Sequence, residues 1–377
     1  MPLPLPNVAF VTGVNGISGY AIADYLVKQS DKDWSEIIIT SRSPLTIPFI
    51  DHRVRFVAID FLDDQARIER ALQPYASRIT HAFFTSYVHV DDFKKLSELN
   101  VPLFTNFLHA LDKLSPKLQR ITLQTGGKNY GAHLGEPLVF PAKEDQPRCV
   151  DPHNFYFKQE DALKLLQSKR KTWSWNVVMP TGIVGVSPHG SGISEALSLA
   201  VYLLVHRELN EAAIWPWGEF TFSAPDDKSY APGLAHFTVW AATQDPCANE
   251  AFNYVNGDVL VWKHLWKKLA DYFGVEAPAP DFSQQKEKCN TPKWAEDKKE
   301  VWERVVAKYG GKVEAFEWSS WAHLDWAIGK TWYTLLSMSK AREYGWTRTD
   351  DTCESFLKTI RSFENAGILP QSTKLVA

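Results

Sequence analysis

Cysteine is scarce in this chain of 377 residues. The four present (Cys149, Cys247, Cys289 and Cys353) stand far apart with no CxxC pair, so neither a disulfide framework nor a zinc site is indicated. A reducing, cytoplasmic setting is the expectation. A surplus of charge is missing too: 41 basic residues face 44 acidic ones, which argues against a nucleic-acid footprint. Long apolar runs are absent. The most apolar stretch, residues 197–205, is far shorter than the about 20 residues a bilayer span needs, so no membrane partner is expected. The first six residues alternate proline and leucine without a basic region, which does not read as an export signal. The histidines show no paired metal-ligand spacing, so no metal is expected. Tryptophan, by contrast, is abundant: 12 of 15 lie between Trp215 and Trp346.

The first 190 residues alternate short β-branched runs with amphipathic stretches. Residues 8–12, 37–40, 55–59, 81–85, 120–124 and 175–179 read as strands, and 16–29, 65–72 and 155–169 as helices. Strand and helix in alternation predict an α/β fold, a Rossmann-type doubly wound parallel sheet whose strands are buried on both faces. Beyond residue 190 helical patterns dominate, among them 193–205, 262–273 and 295–309. The expected division is a dinucleotide-binding domain over 1–190, with a return near 250–258, and a mainly helical substrate-binding region over 191–377. The Ala-Pro-Ala-Pro of 277–280 marks a break. After it, residues 286–317 carry 8 basic and 7 acidic side chains, which reads as a solvated helical cover.

Residues 8–19 read VAFVTGVNGISG, a strand followed by Thr12-Gly13-x-x-Gly16-x-x-Gly19. Gly13 permits a tight turn, Gly16 a close approach to a pyrophosphate, and Gly19 close packing of helix on strand. Asn15 and Ile17 complete this turn, whose helix N-terminus offers N–H groups to phosphate. The second strand ends in Ser41-Arg42-Ser43 with no carboxylate at its tip, which favours the 2′-phosphate of NADP over the ribose hydroxyl of NAD. Asp60-Phe61, ending the third strand, is placed to meet adenine. Thr85, Ser86 and Tyr87, ending the fourth, lie where nicotinamide and substrate should meet. Asn106 sits in an amphipathic stretch and reads as structural.

None of the 13 tyrosines has a lysine four residues later, the pairing that a short-chain reductase normally shows on one helix face. Two segments stand out instead: Gln124-Thr-Gly-Gly-Lys128-Asn-Tyr130, and Asn154-Phe-Tyr156-Phe-Lys-Gln-Glu160-Asp161. Together they resemble the progesterone 5β-reductase/iridoid synthase family, atypical short-chain reductases whose lysine has left the tyrosine helix. The likeness extends through Trp173-Ser-Trp-Asn-Val-Val-Met-Pro180, Gly185-Val-Ser-Pro188, Glu250-Ala-Phe-Asn-Tyr-Val-Asn-Gly-Asp258, Trp262-Lys-His-Leu-Trp266 and Ser339-Lys-Ala-Arg-Glu-Tyr-Gly-Trp346. Phe157 departs from the family's second tyrosine, the arginine cluster is reduced to Arg42, and residues 214–222 do not align, so the family's substrates do not carry over.

The resemblance implies an NADPH-dependent enzyme in which Tyr156 and Lys128 are catalytic, with Gln124, Pro180 and Ile183 also lining the cofactor. It implies hydride delivery to the β-carbon of an enone or enal, with Tyr156 donating to the oxygen that gains charge and Lys128 orienting Tyr156. The same pair suits reduction of a carbonyl, or non-redox isomerisation. A non-catalytic NADP-binding sensor is the reading from another class, and it has no need of the Tyr/Lys pair. The expected substrate is a fairly large apolar carbonyl compound, lined by Tyr87, His189, Trp215, Trp217, Trp318 and Trp321. Most of the other tryptophans are expected in the core, with Trp262 and Trp266 packing inward from one helix face. A homodimer is the expected assembly.

Overall fold

The computed structural model describes residues 6–45, 49–90, 92–135, 139–187, 194–284 and 289–375. Six strands in the first half, β1 (Asn7–Thr12), β2 (Trp34–Ser41), β3 (Val54–Ala58), β4 (His81–Phe84), β5 (Arg120–Gln124) and β6 (Ser174–Pro180), form one sheet with the later strand Glu250–Tyr254. The spatial order is Glu250–Tyr254, β6, β5, β4, β1, β2, β3, and every neighbouring pair is parallel. The expected α/β Rossmann sheet is therefore present. The chain runs outward from β1 through β2 to β3, then restarts on the other side with β4. That reversal opens a crevice beyond the carboxyl ends of β1 and β4, the usual ligand position in open α/β sheets.

Side-chain alternation explains why the strands are apolar on both faces. Phe10 and Ile38 point into one core with Phe84 and Ile121, while Ala9, Val11, Ile37 and Ile39 point into another. The first face is covered by helices α2 (Gln65–Ala76), α3 (Phe93–Leu114) and α4 (Phe155–Arg170). The second is covered by α1 (Ile17–Val27) and the helix Ala231–Thr243. Asn106 lies on α3, and its side-chain amide donates to the Phe61 carbonyl at 2.8 Å, a structural tie as expected.

The rest of the chain builds a third core around α5 (Glu195–Leu209), whose first twelve residues are all buried. A helix that is apolar all round must be enclosed, and here the enclosure is protein. Helices Trp262–Phe273, Lys299–Tyr309 and Thr352–Asn365 pack around it. The apolar stretch 197–205 is thus the axis of this helical region. Among the described residues, no helix is long and apolar enough to cross a membrane.

Candidate active site

The glycine turn is built by contact. Gly13 has φ +68°, and a Cβ there would stand 3.0 Å from the Thr85 carbonyl oxygen and 3.1 Å from the Ser86 Cα. A Cβ on Gly19 would fall 2.4 Å from the Gly13 carbonyl oxygen, so only glycine lets α1 sit this close to the end of β1. Gly16 caps α1, with its amide donating to the Gly13 carbonyl at 2.9 Å, and Ile17 is buried behind it. Thr12 joins β1 to β4: its hydroxyl accepts from the amides of Thr85 (3.1 Å) and Ser86 (3.2 Å), and the Thr85 hydroxyl donates to the Thr12 carbonyl at 2.6 Å. The two strand ends that flank the crevice are locked together before any ligand arrives.

Asn15 ties this turn to the end of β2, its side-chain amide donating to the hydroxyls of Ser41 (3.0 Å) and Ser43 (3.1 Å) and to the Pro44 carbonyl (3.0 Å). Arg42 stands exposed beside them, with no ion pair among the described residues. The Asn15 and Gln124 side-chain oxygens are buried without a hydrogen-bond donor. An open glycine cradle, two unspent acceptors for the hydroxyl or amide donors of a ligand, and an exposed guanidinium fit a dinucleotide. Gln124 reaches across to α1, donating to the Ser18 hydroxyl at 2.9 Å. Asp60 caps its own turn by accepting from the Leu62 amide at 2.9 Å. Phe61 departs from expectation. Its ring is buried in the core against Phe84 and Phe107, because β3 ends at Ala58 and the turn closed by Asp60 carries that side chain inward, so it presents no ring to adenine.

Lys128 sits on the one-turn helix Gly127–Tyr130 after β5, and three ties hold that turn. The Asn154 amide donates to the Lys128 carbonyl at 2.8 Å, while its oxygen accepts from the Tyr156 amide at 3.2 Å as the N-cap of α4. Asn129 donates to the buried carboxylate of Glu160 at 2.7 Å. The Tyr130 hydroxyl donates to Asn253 at 2.7 Å on the edge strand. The first part of the motif (Asn154) and its acidic residue (Glu160) thus fasten the lysine turn to the tyrosine helix. The sequence signal for these two roles is a polar cap residue, Asn154, with an acid four residues beyond Tyr156.

Tyr156 is half-buried, facing Gly126 and the end of β6. A Cβ at Gly126 would stand 3.2 Å from the Pro180 carbonyl, tighter than ordinary contact, and 3.7 Å from the Tyr156 hydroxyl, so the glycine lets this turn pack close to the end of β6 beside the phenol. Burial, and secondarily Tyr87, push the Tyr156 phenol well above its ordinary pKa, keeping the proton on oxygen. Burial brings the Lys128 ammonium down to about 8. The ammonium does not bond to Tyr156. It donates to the Tyr87 hydroxyl at 3.3 Å, and burial lifts the Tyr87 phenol to about 12. The Tyr87 ring lies 5.9 Å from Phe155, which lies 4.3 Å from Tyr156. Pro180 is buried at the end of β6, and Ile183, half-buried, pairs with Ser229 in a short parallel ladder.

The substrate-side expectations fare unevenly. His189 lies outside the described residues. Trp215 and Trp217 are not pocket residues: each is 1% exposed, packed against Trp266 inside the third core. Their indole nitrogens are spent on the Gly218 carbonyl and the Asp325 carboxylate. Large rings were needed there to fill volume between helices. Trp318 and Trp321 are partly buried against the same core. Trp262 and Trp266 do pack inward. His323, which sequence reasoning passed over, is the group of the helical region that feels Lys128; burial first, then Lys228, His89 and Lys128, lower its pKa against the pull of Glu195.

Comparison with known proteins agrees with this architecture. Residues 9–354 match the family model described as a PRISE-like Rossmann-fold domain. The short chain dehydrogenase gsfE of Penicillium aethiopicum is 40% identical, covering 97% of this chain and 100% of that one. The (S)-8-oxocitronellyl enol synthase ISY1 of Nepeta racemosa is 30% identical, covering 98% of this chain and 95% of its own. Among solved structures, the UDP-glucose 4-epimerase of Thermotoga maritima superposes with a TM-score of 0.65 at 15% identity, covering 95% of this chain and 99% of that one. The Bordetella bronchiseptica enzyme WbmH, solved with NAD+, gives a TM-score of 0.63 at 14% identity, covering 96% and 100%. At such identity these two speak for the fold alone.

Proposed function

The chain belongs to the PRISE-like Rossmann-fold family, as an enzyme of the short-chain dehydrogenase/reductase superfamily, and from that premise we propose that it is an NADPH-dependent reductase of an activated C=C bond. The substrate is an enone or enal within a fairly large apolar carbonyl compound. The observation that carries this reading is that Lys128 is bonded to Tyr87, and Tyr87 is joined through the Phe155 ring to Tyr156, at the rim of the sheet beside a glycine cradle.

The cradle of Thr12, Gly13, Gly16 and Gly19 holds the pyrophosphate, and Arg42, with the Ser41 and Ser43 hydroxyls, meets the 2′-phosphate. When bound there, the reduced dinucleotide supplies the hydride that the β-carbon accepts. What remains falls to the chain. As the C=C bond takes up the electron pair, negative charge develops on the carbonyl oxygen. Tyr156, protonated because its burial disfavours phenolate, donates a hydrogen bond to that oxygen. Lys128 adds positive charge a short distance behind it, through Tyr87. The α-carbon then takes a proton from solvent, which completes the saturated carbonyl product. Activity requires the ammonium form of Lys128, so kcat is expected to fall as pH rises through about 8.

The deciding experiment follows NADPH absorbance against enones, enals and saturated ketones, with identification of products. Saturated carbonyl products support 1,4-reduction, whereas allylic alcohols overturn it in favour of 1,2-reduction. Tyr156→Phe is expected to lower kcat by roughly 10²–10³ with NADPH binding intact.

A further inference from the structure

We infer that Tyr87 is the positioning residue for Lys128, its phenol oxygen fixing where the ammonium stands in the site. The inference rests on the reading of Lys128 and Tyr156 as the working pair. It adds a side chain between Lys128 and Tyr156, which the expectation that Lys128 orients Tyr156 does not contain.

Three observations support it. The Nζ of Lys128 makes one hydrogen bond among the described residues, 3.3 Å to the Tyr87 hydroxyl, and none to Tyr156. The same Nζ lies 5.5 Å from the centre of the Tyr87 ring, so the ring face also attracts the charge. No carboxylate is paired with Lys128 among the described residues. Among the described residues, the titratable groups that sense its charge are His133 on the following turn and His323 on the helix Trp321–Ile328, and burial lowers the pKa of both imidazoles. His133 is itself paired with Asp151 at 2.8 Å. An ammonium drawn partly out of water with no anion beside it needs a neutral acceptor to hold it, and Tyr87 is the acceptor present.

Tyr87 is itself well placed to fix a neighbour. It follows Ser86, whose amide is bonded to Thr12 and whose backbone Gly13 presses against. Its ring rests on Phe155, at the start of the tyrosine helix. The lysine is therefore referenced to the cofactor turn and to the tyrosine helix by one side chain, 36% exposed, with its hydroxyl at the site.

Tyr87→Phe keeps the ring and its attraction for the ammonium and removes only the oxygen. The expected result is a fall in kcat of about tenfold with KM for NADPH unchanged. The alkaline limb of kcat should move to lower pH, because the acceptor that favoured the charged amine is gone. In a Lys128→Ala background the same substitution should add no further loss. An equal loss in both backgrounds, or an unchanged rate with an unchanged alkaline limb, overturns the assignment. A readout free of turnover is the titration of the Lys128 ε-carbon by NMR in 13C-lysine-labelled protein with NADP+ bound. A lowered midpoint in Tyr87→Phe supports the assignment, even if wild type reduces no enone, in which case only the reductase reading fails. An unchanged midpoint overturns it.

Discussion

Charge is held in two ways along the rim of this sheet. At the β1–β2 side it is a single guanidinium, Arg42, exposed and without an ion pair among the described residues. Beyond β6, where the helical region docks, Glu195, Asp226, Lys228 and Lys330 are sealed among themselves, none more than 8% exposed. Lys228 sits 2.9 Å from Glu195 and 3.3 Å from Asp226, and Lys330 sits 2.8 Å from Asp226. The Trp262 indole donates to Asp226 at 3.0 Å. Two cations balance two anions, and the Lys228 stem presses on Gly182, where a Cβ would stand 2.6 Å away. On the proposed reading, the charge left in water is the one that meets a ligand, while the charges that join two layers are paired out of it.

The largest expected effect tests the buried set. Burial alone would push the Lys228 ammonium down, but Asp226 and Glu195 hold it above its ordinary range. Lys228→Met leaves two carboxylates facing one remaining cation, and the expected loss of stability is about 3–5 kcal/mol by urea unfolding. A loss below about 1 kcal/mol would mean that the cluster relaxes or admits water, and the contrast with Arg42 would collapse.

Asp227 sharpens the same picture through pH. Burial pushes its carboxyl up to about 8, with Asp226 adding to the rise against the Leu336 amide that it accepts at 2.8 Å. A folded pKa above the unfolded one means stability that is full below about pH 4 and declines as pH rises, with the decline complete near 8. Asp227→Asn should remove that slope. The variant is expected to melt several degrees above wild type at pH 8 and level with it at pH 4. Parallel melting curves for the two proteins across that range would refute the buried neutral carboxyl.

Smaller again is the effect expected at the cradle. Gly19→Ala places a methyl 2.4 Å from the Gly13 carbonyl oxygen, backbone that cannot step aside as a side chain would. The expected cost is about 1–3 kcal/mol, with a matching loss of dinucleotide affinity. Calorimetric titration with NADPH would measure the second part, and unchanged affinity would show that α1 shifts without disturbing the turn.

How much of this was legible in the sequence follows from how each part is built. The turn of the cradle runs from Thr12 to Gly19, within eight residues, so its spacing announces it, although the contacts of Thr12 and Gly13 with Thr85 and Ser86 are tertiary. The tyrosine helix begins at an Asn154 cap and is equally local. The buried cluster draws on Glu195, Asp226, Lys228 and Lys330, and nothing in their spacing says that a helix and a loop will bring them together. The misplacement of Trp215 and Trp217 has a similar cause. An aromatic run looks the same whether it faces a cleft or a core, and only the packing of the helix Trp262–Phe273 against it settles which. Phe61 lies in the turn after β3, and the alternation of a strand does not extend into a turn to say which way its side chain faces. The lysine turn was found by its motif, yet its bond to Tyr87, 41 residues away, is tertiary and left no trace in either segment.

The smallest effect belongs to the exposed charge, and it is the most direct test of the contrast. Arg42 is solvated, so whatever it contributes to a 2′-phosphate is screened by water and salt, unlike the attraction inside the cluster. Arg42→Ala is therefore expected to weaken NADPH by about tenfold, in keeping with one charge-assisted contact at a surface, and to leave NADH nearly unchanged. The wild-type preference should also shrink as ionic strength rises, since an exposed pair is screened where a buried one is not. Equal losses for both dinucleotides would place Arg42 outside the 2′-phosphate site. A salt-independent preference would mean that the phosphate is enclosed once bound, and that the open side of the rim buries charge after all.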